Sequence, residues 1–328
     1  MNTVENPVTI VLTSPVLSWA NRWDHILARF SWHRGEHKVI PGLYSIGHPT
    51  PDSPVLVSAN YTLSFDALRG ALKGIDAYIL VINTFGINVW CAAGKGTFGT
   101  EELVERIDTS ELAKVVRHRS IILPQLSAPG VAAHKVKQQS GFKVEYGPVR
   151  AADLPEYLKT RKATAEMRRV RFSLRDRAVL TPVEFISYFI YLVVASVALF
   201  FWDGWSGSLM VALTIVSGAV LFPLLLPWLP TKDFSTKGWS LGIVVTLAVV
   251  LMNTLWVNAD ASTAQKILDA VSYLLLWPPV TAYIALNFTG ASTFTSRSGV
   301  KVEMRKYIRP LVISFVLGVI LTVIARFV

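Results

Sequence analysis

The sequence contains a single cysteine, Cys91, in a setting that favours metal ligation. Its surroundings read Asn88-Val89-Trp90-Cys91-Ala92-Ala93-Gly94-Lys95-Gly96. Asn88 is a good helix N-cap, and a glycine at position 94 or 96 would end the helix within about two turns. Cys91 would then lie in the first turn, with Gly94 and Lys95 on its side of the helix. Because Gly94 has no side chain, a flat ligand could come close enough for the thiolate to bind a metal at its centre.

Other interpretations of this segment are weaker or remain open. A lone cysteine is more often a small buried hydrophobic residue than a ligand. One cysteine excludes a disulfide framework, and it excludes an iron–sulfur cluster held by this chain alone. The Gly94-Lys95 pair does not form a phosphate-binding loop, because the four-residue spacer between glycines is absent and Gly96 stands where a serine or threonine is needed.

A second candidate metal motif, His33-Arg34-Gly35-Glu36-His37, has the inverted zincin spacing His-x-x-Glu-His. Gly35 interrupts it, and Pro41-Gly42 follows closely, so a stable helix carrying the ligands is not expected. We therefore do not expect a zinc hydrolase.

The N-terminal half alternates short apolar runs with amphipathic stretches. Candidate strands cover residues 8–12, 55–58, 77–82, 120–123 and 143–146, and candidate helices cover 64–73, 101–107, 110–118 and 131–139. This alternation predicts a mostly parallel sheet covered by helices, with its ligand at the carboxyl ends of the strands. From their place after predicted strands, Asn60, Tyr61 and Gln125 are further candidates for the site.

The C-terminal half is strongly apolar. Mean hydropathy is +0.44 over the 328 residues, and we predict five membrane spans at 183–202, 208–229, 239–257, 267–288 and 310–327. Basic residues are dense before the first span and in the second and fourth loops, whereas the first and third loops have few. This pattern predicts that the chain is a multi-pass protein of the inner (cytoplasmic) membrane. Its N-terminal domain is then expected to lie in the cytoplasm.

The net charge of +10 is thus explained by membrane topology, and no nucleic-acid partner is expected. Residues 1–15 also lack the pattern of a secretory signal. Because the spans carry few charges, we expect anchoring or docking rather than transport. The hydroxyl-rich stretch 287–296 is either a solvated turn or a docking surface.

The segment 88–100 resembles the signature of the HgcA family of mercury-methylating corrinoid proteins. Four further segments resemble that family, at residues 60–66, 124–131, 141–150 and 287–300. The resemblance covers essentially the whole chain, and the N-terminal domain is also similar to the corrinoid domain of the corrinoid iron–sulfur protein of the acetyl-CoA pathway. It implies a Rossmann-like α/β corrinoid-binding domain at 1–160 with a cap helix at 88–95, a basic linker at 161–182, and an all-α transmembrane bundle of five helices at 183–328.

The resemblance also implies a function, that of a cobalamin-dependent methyltransferase which passes a methyl group from methyl-Co(III) to mercury(II) and yields methylmercury. Cys91 would be the lower axial ligand of cobalt, and the whole cap segment would contact the corrinoid. Its residues are Asn88, Val89, Trp90, Cys91, Ala92, Ala93, Gly94 and Lys95.

The implied partners are a methyltetrahydrofolate-type methyl donor system and a ferredoxin-like protein with two [4Fe–4S] clusters. The ferredoxin-like protein would supply electrons, because the chain has no cluster of its own, and it could also deliver mercury. Two alternatives stay open. One is a membrane-bound corrinoid methyl carrier of one-carbon metabolism, and the other is a non-enzymatic membrane scaffold.

Overall fold

The computed structural model describes residues 8–257, 260–295, 297–325 and 327. The chain divides into two compact units, Met1–Val170 and Arg171–Val328. The division falls within the stretch 161–182 that we predict as a linker.

The N-terminal unit is a mixed α/β domain. Its strands are β1 (Ile10–Thr13), β2 (Gly42–Ile46), β3 (Val55–Ala59), β4 (Ala77–Ile82), β5 (Ser120–Leu123) and β6 (Lys143–Tyr146). Its helices are α1 (Trp19–Phe30), α2 (Thr62–Ala71), α3 (Val89–Lys95), α4 (Thr100–Thr109), α5 (Leu112–Val115), α6 (Ala133–Ser140) and α7 (Leu154–Thr160).

The six strands form one sheet in the order β1-β2-β4-β3-β5-β6. Strands β3 to β6 are mutually parallel, which confirms the mostly parallel sheet. Strand β2, which runs antiparallel to β4, was not predicted. It has only five residues and lies between Pro41 and Gly47, two residue types typical of turns. Its short apolar run therefore does not stand out as a strand in the sequence.

Helices cover both faces of the sheet. Alternate residues of β3 and β4, such as Val57 and Leu80, pack in one cluster with Ala92, Ala93 and Leu103 of α3 and α4. The intervening strand residues pack in a second cluster with α2 and α7. Since both faces are buried, β3 and β4 are apolar almost throughout, as is usual for central parallel strands.

The C-terminal unit is helical. Its helices are α8 (Leu174–Val216), α9 (Phe222–Leu225), α10 (Phe234–Met252), α11 (Thr263–Asn287) and α12 (Arg297–Ile324), and π-helical turns at Ser217–Leu221 and Asn253–Val257 continue α8 and α10. Among the described residues, four helical segments are long and apolar enough to cross a membrane. They are Leu174–Leu225, Phe234–Trp256, Thr263–Ala291 and Ser298–Ile324.

The first of these segments contains the predicted span 183–202 and most of the predicted span 208–229, which extends four residues beyond it. It reverses direction at Gly204, whose φ of 65° and ψ of −148° are not helical. The Ser208 hydroxyl donates to the Ser196 carbonyl at 2.7 Å, and Arg177 donates to the Leu224 carbonyl at 3.3 Å. A straight helix would separate the second pair by about 70 Å. The segment is therefore a helical hairpin, and the loop expected at 203–205 is reduced to a break at one glycine.

The hydroxyl-rich stretch is more than a solvated turn. Phe288 is buried against Phe172 and Phe222, and Thr289 and Ser292 are also buried. Ser296, the last residue of the predicted loop, lies outside the described residues, as do residues 258 and 259 of the predicted third loop and Arg326 of the last predicted span.

Candidate functional site

The helix that carries Cys91 begins and ends where its sequence predicts. Asn88 has extended backbone angles, and its side-chain oxygen accepts a hydrogen bond from the Cys91 N–H at 2.9 Å. Gly96 ends α3 in the left-handed conformation, with φ of 88°. Cys91 is therefore in the first turn of a two-turn helix, with a free, half-buried thiol.

The helix has one buried and one accessible side. Ala92 and Ala93 are buried in the core and hold α3 against the sheet. Gly94 is half-buried and Lys95 is exposed, so the neighbours of Cys91 on its helix face leave that face accessible.

The sequence predicts that the side chains of Trp90 and Ala93 both point into the domain. The structure confirms this for Ala93 and contradicts it for Trp90. Its side chain is 37% exposed. It precedes Ala92 by two residues, or about 200° around the helix, so when Ala92 faces the core Trp90 faces outward.

The loop before α3 is held by the side chain of Asn60, which follows β3 and is 1% exposed. Its oxygen accepts hydrogen bonds from the backbone N–H groups of Thr84 and Gly86, each at 3.0 Å. The Thr84 hydroxyl lies at 3.0 Å from the same oxygen and at 2.7 Å from the Ile87 carbonyl. Asn60 is thus a positioning residue for the loop that leads to Cys91.

Two residues of this loop were missed by the sequence reasoning. Thr84 is fully buried and ties the loop to Asn60. Phe85 is 63% exposed and has a φ of 56°, an uncommon conformation for an aromatic residue. The only signal in the sequence was an aromatic and a glycine, Phe85-Gly86, between a strand and an N-cap.

The remaining two candidates have structural contacts. Tyr61 is buried at the start of α2. Gln125 begins a short 3-10 turn after β5, and its side-chain oxygen accepts a hydrogen bond from Arg168 at 3.1 Å. The structure therefore brings Asn60 to the loop before Cys91 and places Tyr61 and Gln125 at the same edge of the sheet.

A cavity of about 340 Å³ opens at this edge, between the ends of β3 and β5. Its wall includes the N-cap Asn88 and residues Val89 and Trp90 of α3, with Pro124, Leu126 and Pro148 from the loops after β5 and β6. The strand order reverses between β3 and β5, which is where open α/β sheets usually bind ligands.

The zincin-like motif does not form a ligand-bearing helix. Residues Arg34–Glu36 form a single 3-10 turn, and His37 is hydrogen-bonded through Nδ1 to Asp24 at 2.7 Å. No group of three or more histidine, cysteine, aspartate or glutamate side chains suited to a metal occurs within the described ranges.

Gly130 allows the loop after β5 to approach α3, which yields a first prediction. A Cβ there would lie 2.9 Å from the Ala93 Cα and closer still to the Phe98 carbonyl oxygen. Since both are backbone atoms, Gly130→Ala should displace α3 and lower the free energy of unfolding by about 1–3 kcal/mol. Amide hydrogen exchange of residues 91–96 should become faster.

The matched control is Gly70→Ala in α2. There the nearest atom to the new Cβ is the Pro15 carbonyl oxygen at 3.9 Å, an ordinary contact. We expect this variant to gain up to about 1 kcal/mol of helix stability. Equal exchange in both variants would show that the approach at Gly130 does not hold α3.

The chain is similar to several known proteins. Residues 31–158 match the family described as CO dehydrogenase/acetyl-CoA synthase delta subunit. The chain is 35% identical over 127 residues to the acetyl-CoA decarbonylase/synthase complex subunit gamma of Methanopyrus kandleri, which covers 38% of this chain and 27% of that protein. It is 31% identical over 123 residues to the same subunit of Archaeoglobus fulgidus, with 37% and 26% covered.

A further relative is the corrinoid/iron-sulfur protein large subunit of Moorella thermoacetica. Identity is 25% over 182 residues, covering 50% of this chain and 40% of that protein. The chain thus spans 26–40% of the length of these three relatives. Residues 31–158, which include β3 to β6 and the Cys91 helix, form a domain of the CO dehydrogenase/acetyl-CoA synthase delta subunit (CdhD) family. This domain is related to subunits of acetyl-CoA synthase complexes and of the corrinoid iron–sulfur protein.

Proposed function

We propose that this chain is a membrane-bound, corrinoid-dependent methyltransferase in which Cys91 ligates cobalt, and that its methyl acceptor is mercury(II). The observation that carries the proposal is the single thiol, set in an Asn88-capped first turn and bordered by Gly94. The relatedness of residues 31–158 to corrinoid and acetyl-CoA synthase subunits supports the corrinoid.

The residues present fit a corrinoid. A planar macrocycle supplies most ligands of its metal, so one protein ligand is sufficient, and Cys91 is a half-buried thiol on an accessible helix face. Isolated metal ions, in contrast, usually need about four ligands from the protein. The strand order β4-β3-β5-β6 corresponds to the 2-1-3-4 order of doubly wound folds, which supports a Rossmann-like sheet.

Each residue of the site has a distinct role in this proposal. Cys91 would hold the metal, and Asn88 fixes the turn that presents the thiol by accepting a hydrogen bond from the Cys91 N–H. Gly94 leaves room for the ring, and exposed Lys95 meets a polar group of the ring periphery or stabilises the thiolate. The mostly apolar cavity beside Trp90 receives an apolar part of the cofactor. A bound corrinoid would supply a cobalt centre that takes a methyl group from a donor and releases it to an acceptor.

The choice of mercury(II) depends on the resemblance of segment 88–100 and on the chemistry of the ligand. Mercury(II) is an electrophile, so it needs the methyl group with its electrons. A thiolate donates more electron density to the metal than a neutral imidazole does, and an axial ligand of this kind is a usual way for a protein to tune its cofactor.

A second candidate function is a methyl carrier of one-carbon metabolism. The names of the relatives, which are subunits of acetyl-CoA decarbonylase/synthase complexes and a corrinoid/iron-sulfur protein, favour it over mercury. Both candidates need a methyl donor of the methyltetrahydrofolate type. Both also need an external reductant such as a ferredoxin-like protein with two [4Fe–4S] clusters, because one cysteine cannot hold a cluster.

Two experiments test the cofactor and the methyl acceptor separately. The purified full chain loaded with cobalamin should show cobalt-dependent visible absorption, and a protein without such absorption would be a scaffold rather than a corrinoid protein. A deletion strain should lose methylmercury formation and regain it with the intact gene. Loss of growth on one-carbon substrates with methylmercury unchanged would favour the second candidate instead.

For the C-terminal unit, we propose five crossings of the cytoplasmic membrane, with the two arms of the first helical hairpin counted separately. The basic residues before the hairpin and the apolar character of its arms support this arrangement. The domain limits 1–160, 161–182 and 183–328 remain part of the proposal. With five crossings and basic residues on the cytoplasmic side, the corrinoid domain would lie in the cytoplasm.

The hairpin gives a prediction for topology. In a Cys91→Ser chain, Trp205→Cys at the hairpin turn should react with a membrane-impermeant maleimide added to intact cells. Lys232→Cys, in the next loop, should react only after the cells are permeabilised. Equal reaction of both sites in intact cells would contradict two crossings by the hairpin.

A further inference from the structure

Helix α1 is attached to the N-terminal unit by its polar side. His25 Nε2 lies 2.7 Å from Asp66 Oδ2, and Asp66 is buried and also paired with Arg69 at 2.6 Å. Asp24 is paired with His37, and Arg34 donates to the Ala28 carbonyl at 3.2 Å. The contacts that hold this helix are therefore mainly hydrogen bonds and ion pairs.

The opposite side of α1 is apolar and exposed. Trp19 is 86% and Trp23 is 61% exposed, and Ile26, Leu27 and Phe30 are also exposed. At 100° per residue these five side chains lie within an arc of about 100°, so they form one stripe, which we call the outer face of α1. Val16, just before the helix, and Leu12 of β1 are also exposed apolar residues.

This arrangement is the reverse of an ordinary amphipathic helix in a soluble domain, which buries its apolar stripe in the core. Contiguous exposed apolar surface is rare in soluble proteins and usually marks a contact with another protein or a membrane. The exposure of the outer face of α1 therefore indicates a contact with an apolar surface that is not part of the N-terminal unit.

We propose that the outer face of α1 lies in the lipid interface of the membrane to which the chain is attached. The side chains are those of an interfacial helix, with two tryptophans, a phenylalanine and branched aliphatic residues. Arg22, at the edge of the stripe, lies with its guanidinium 5.9 Å from the Trp19 ring and is placed to meet anionic headgroups. The only acidic residue of the helix, Asp24, is on the inner side and is paired with His37.

The membrane as occupant is further supported by the rest of the chain. The C-terminal unit has four membrane-length apolar segments, so the membrane attachment proposed above would tether the N-terminal unit to a bilayer. A surface in permanent reach of lipid needs only modest intrinsic affinity to stay bound. The proposal rests on the membrane attachment proposed above, but it does not depend on the corrinoid or on the methyl acceptor.

The test uses spin labels on the full chain in nanodiscs of phosphatidylcholine and phosphatidylglycerol. In a Cys91→Ser chain, single cysteines are introduced as Trp23→Cys and, as a second position on the same face, Ile26→Cys. Glu105→Cys on exposed α4 is the water-facing control, and Val316→Cys on α12 is the lipid-facing control. Power-saturation spectra then compare collisions with apolar oxygen and with a water-soluble nickel complex.

We expect oxygen to outcompete the nickel complex at positions 23 and 26, as at 316, with the opposite order at 105. Labels at 23 and 26 that behave like 105 would overturn the proposal. So would labels shielded from both reagents, since a second copy or another protein would then cover the face. A water-exposed label at 316 would overturn the membrane attachment itself, and the proposal with it.

Discussion

Replacing Cys91 with alanine is expected to abolish methylmercury formation, with a loss of at least about 100-fold, because even changes around a metal ligand cost 10–100-fold. The fold should be preserved. The contacts of α3 with the sheet are made by Ala92 and Ala93, and the Asn88 cap uses the backbone N–H of residue 91, which alanine retains. The variant should therefore bind cobalamin more weakly and show a visible spectrum without the thiolate ligand. The affinity is measured by titrating the purified full chain with cobalamin, and the visible spectrum is recorded on the loaded chain.

Two further variants separate ligation from other effects of the substitution. Cys91→His should restore a cobalt ligand and a shifted spectrum without restoring turnover, since imidazole donates less electron density. Lys137→Ala, at an exposed side chain of α6 outside the proposed site, is the control and should keep the wild-type spectrum. Full methylation by Cys91→Ala would refute the ligand assignment, whatever the spectrum shows.

The short helix of Cys91 was predictable because its two ends depend on local chemistry. Asn88 accepts a hydrogen bond from the Cys91 N–H in the first turn, and Gly96 adopts a left-handed conformation that most residues avoid. The parallel strands were predictable for a related reason. Strands buried on both faces are continuous apolar runs, and β3 and β4 are buried throughout.

The contacts of Asn60 and Thr84 could not be predicted, because they join residues 24 positions apart. Strand-end position identified Asn60 as a candidate for the pocket, whereas its side chain is turned inward and holds a loop. Trp90 shows the converse, since its apolar character predicts burial and the placement of Ala92 in the core makes it face outward. Helix α1 was missed although its apolar residues recur at helical spacing after the N-cap Ser18; the spacing could not show that this apolar stripe faces outward.

Replacing Asn60 with leucine should lower the stability of the loop before α3 by about 2–6 kcal/mol. The backbone N–H groups of Thr84 and Gly86, both in buried residues, would lose their acceptor, and a buried unsatisfied donor costs about 1–3 kcal/mol. The Thr84 hydroxyl has one proton and retains the Ile87 carbonyl as a partner, so it adds little to this cost. Amide protection should fall at residues 84–91, and cobalamin affinity should drop by about 10–100-fold, as for other residues that support a metal ligand.

The matched control for this variant is Asn83→Ala, in the same loop. Its side-chain oxygen accepts from the Phe85 N–H at 3.1 Å and from the Asn60 amide at 3.4 Å, and Phe85 is exposed, so water can replace the first bond. The buried Asn60 amide loses its acceptor, so we expect a cost of about 1–3 kcal/mol, about half that of Asn60→Leu, with nearly unchanged cobalamin affinity. If Asn60→Leu kept wild-type protection at residues 84–91 and bound cobalamin as the control does, the loop would not depend on Asn60. If protection fell while affinity stayed, the loop would be held by Asn60 but would not position Cys91.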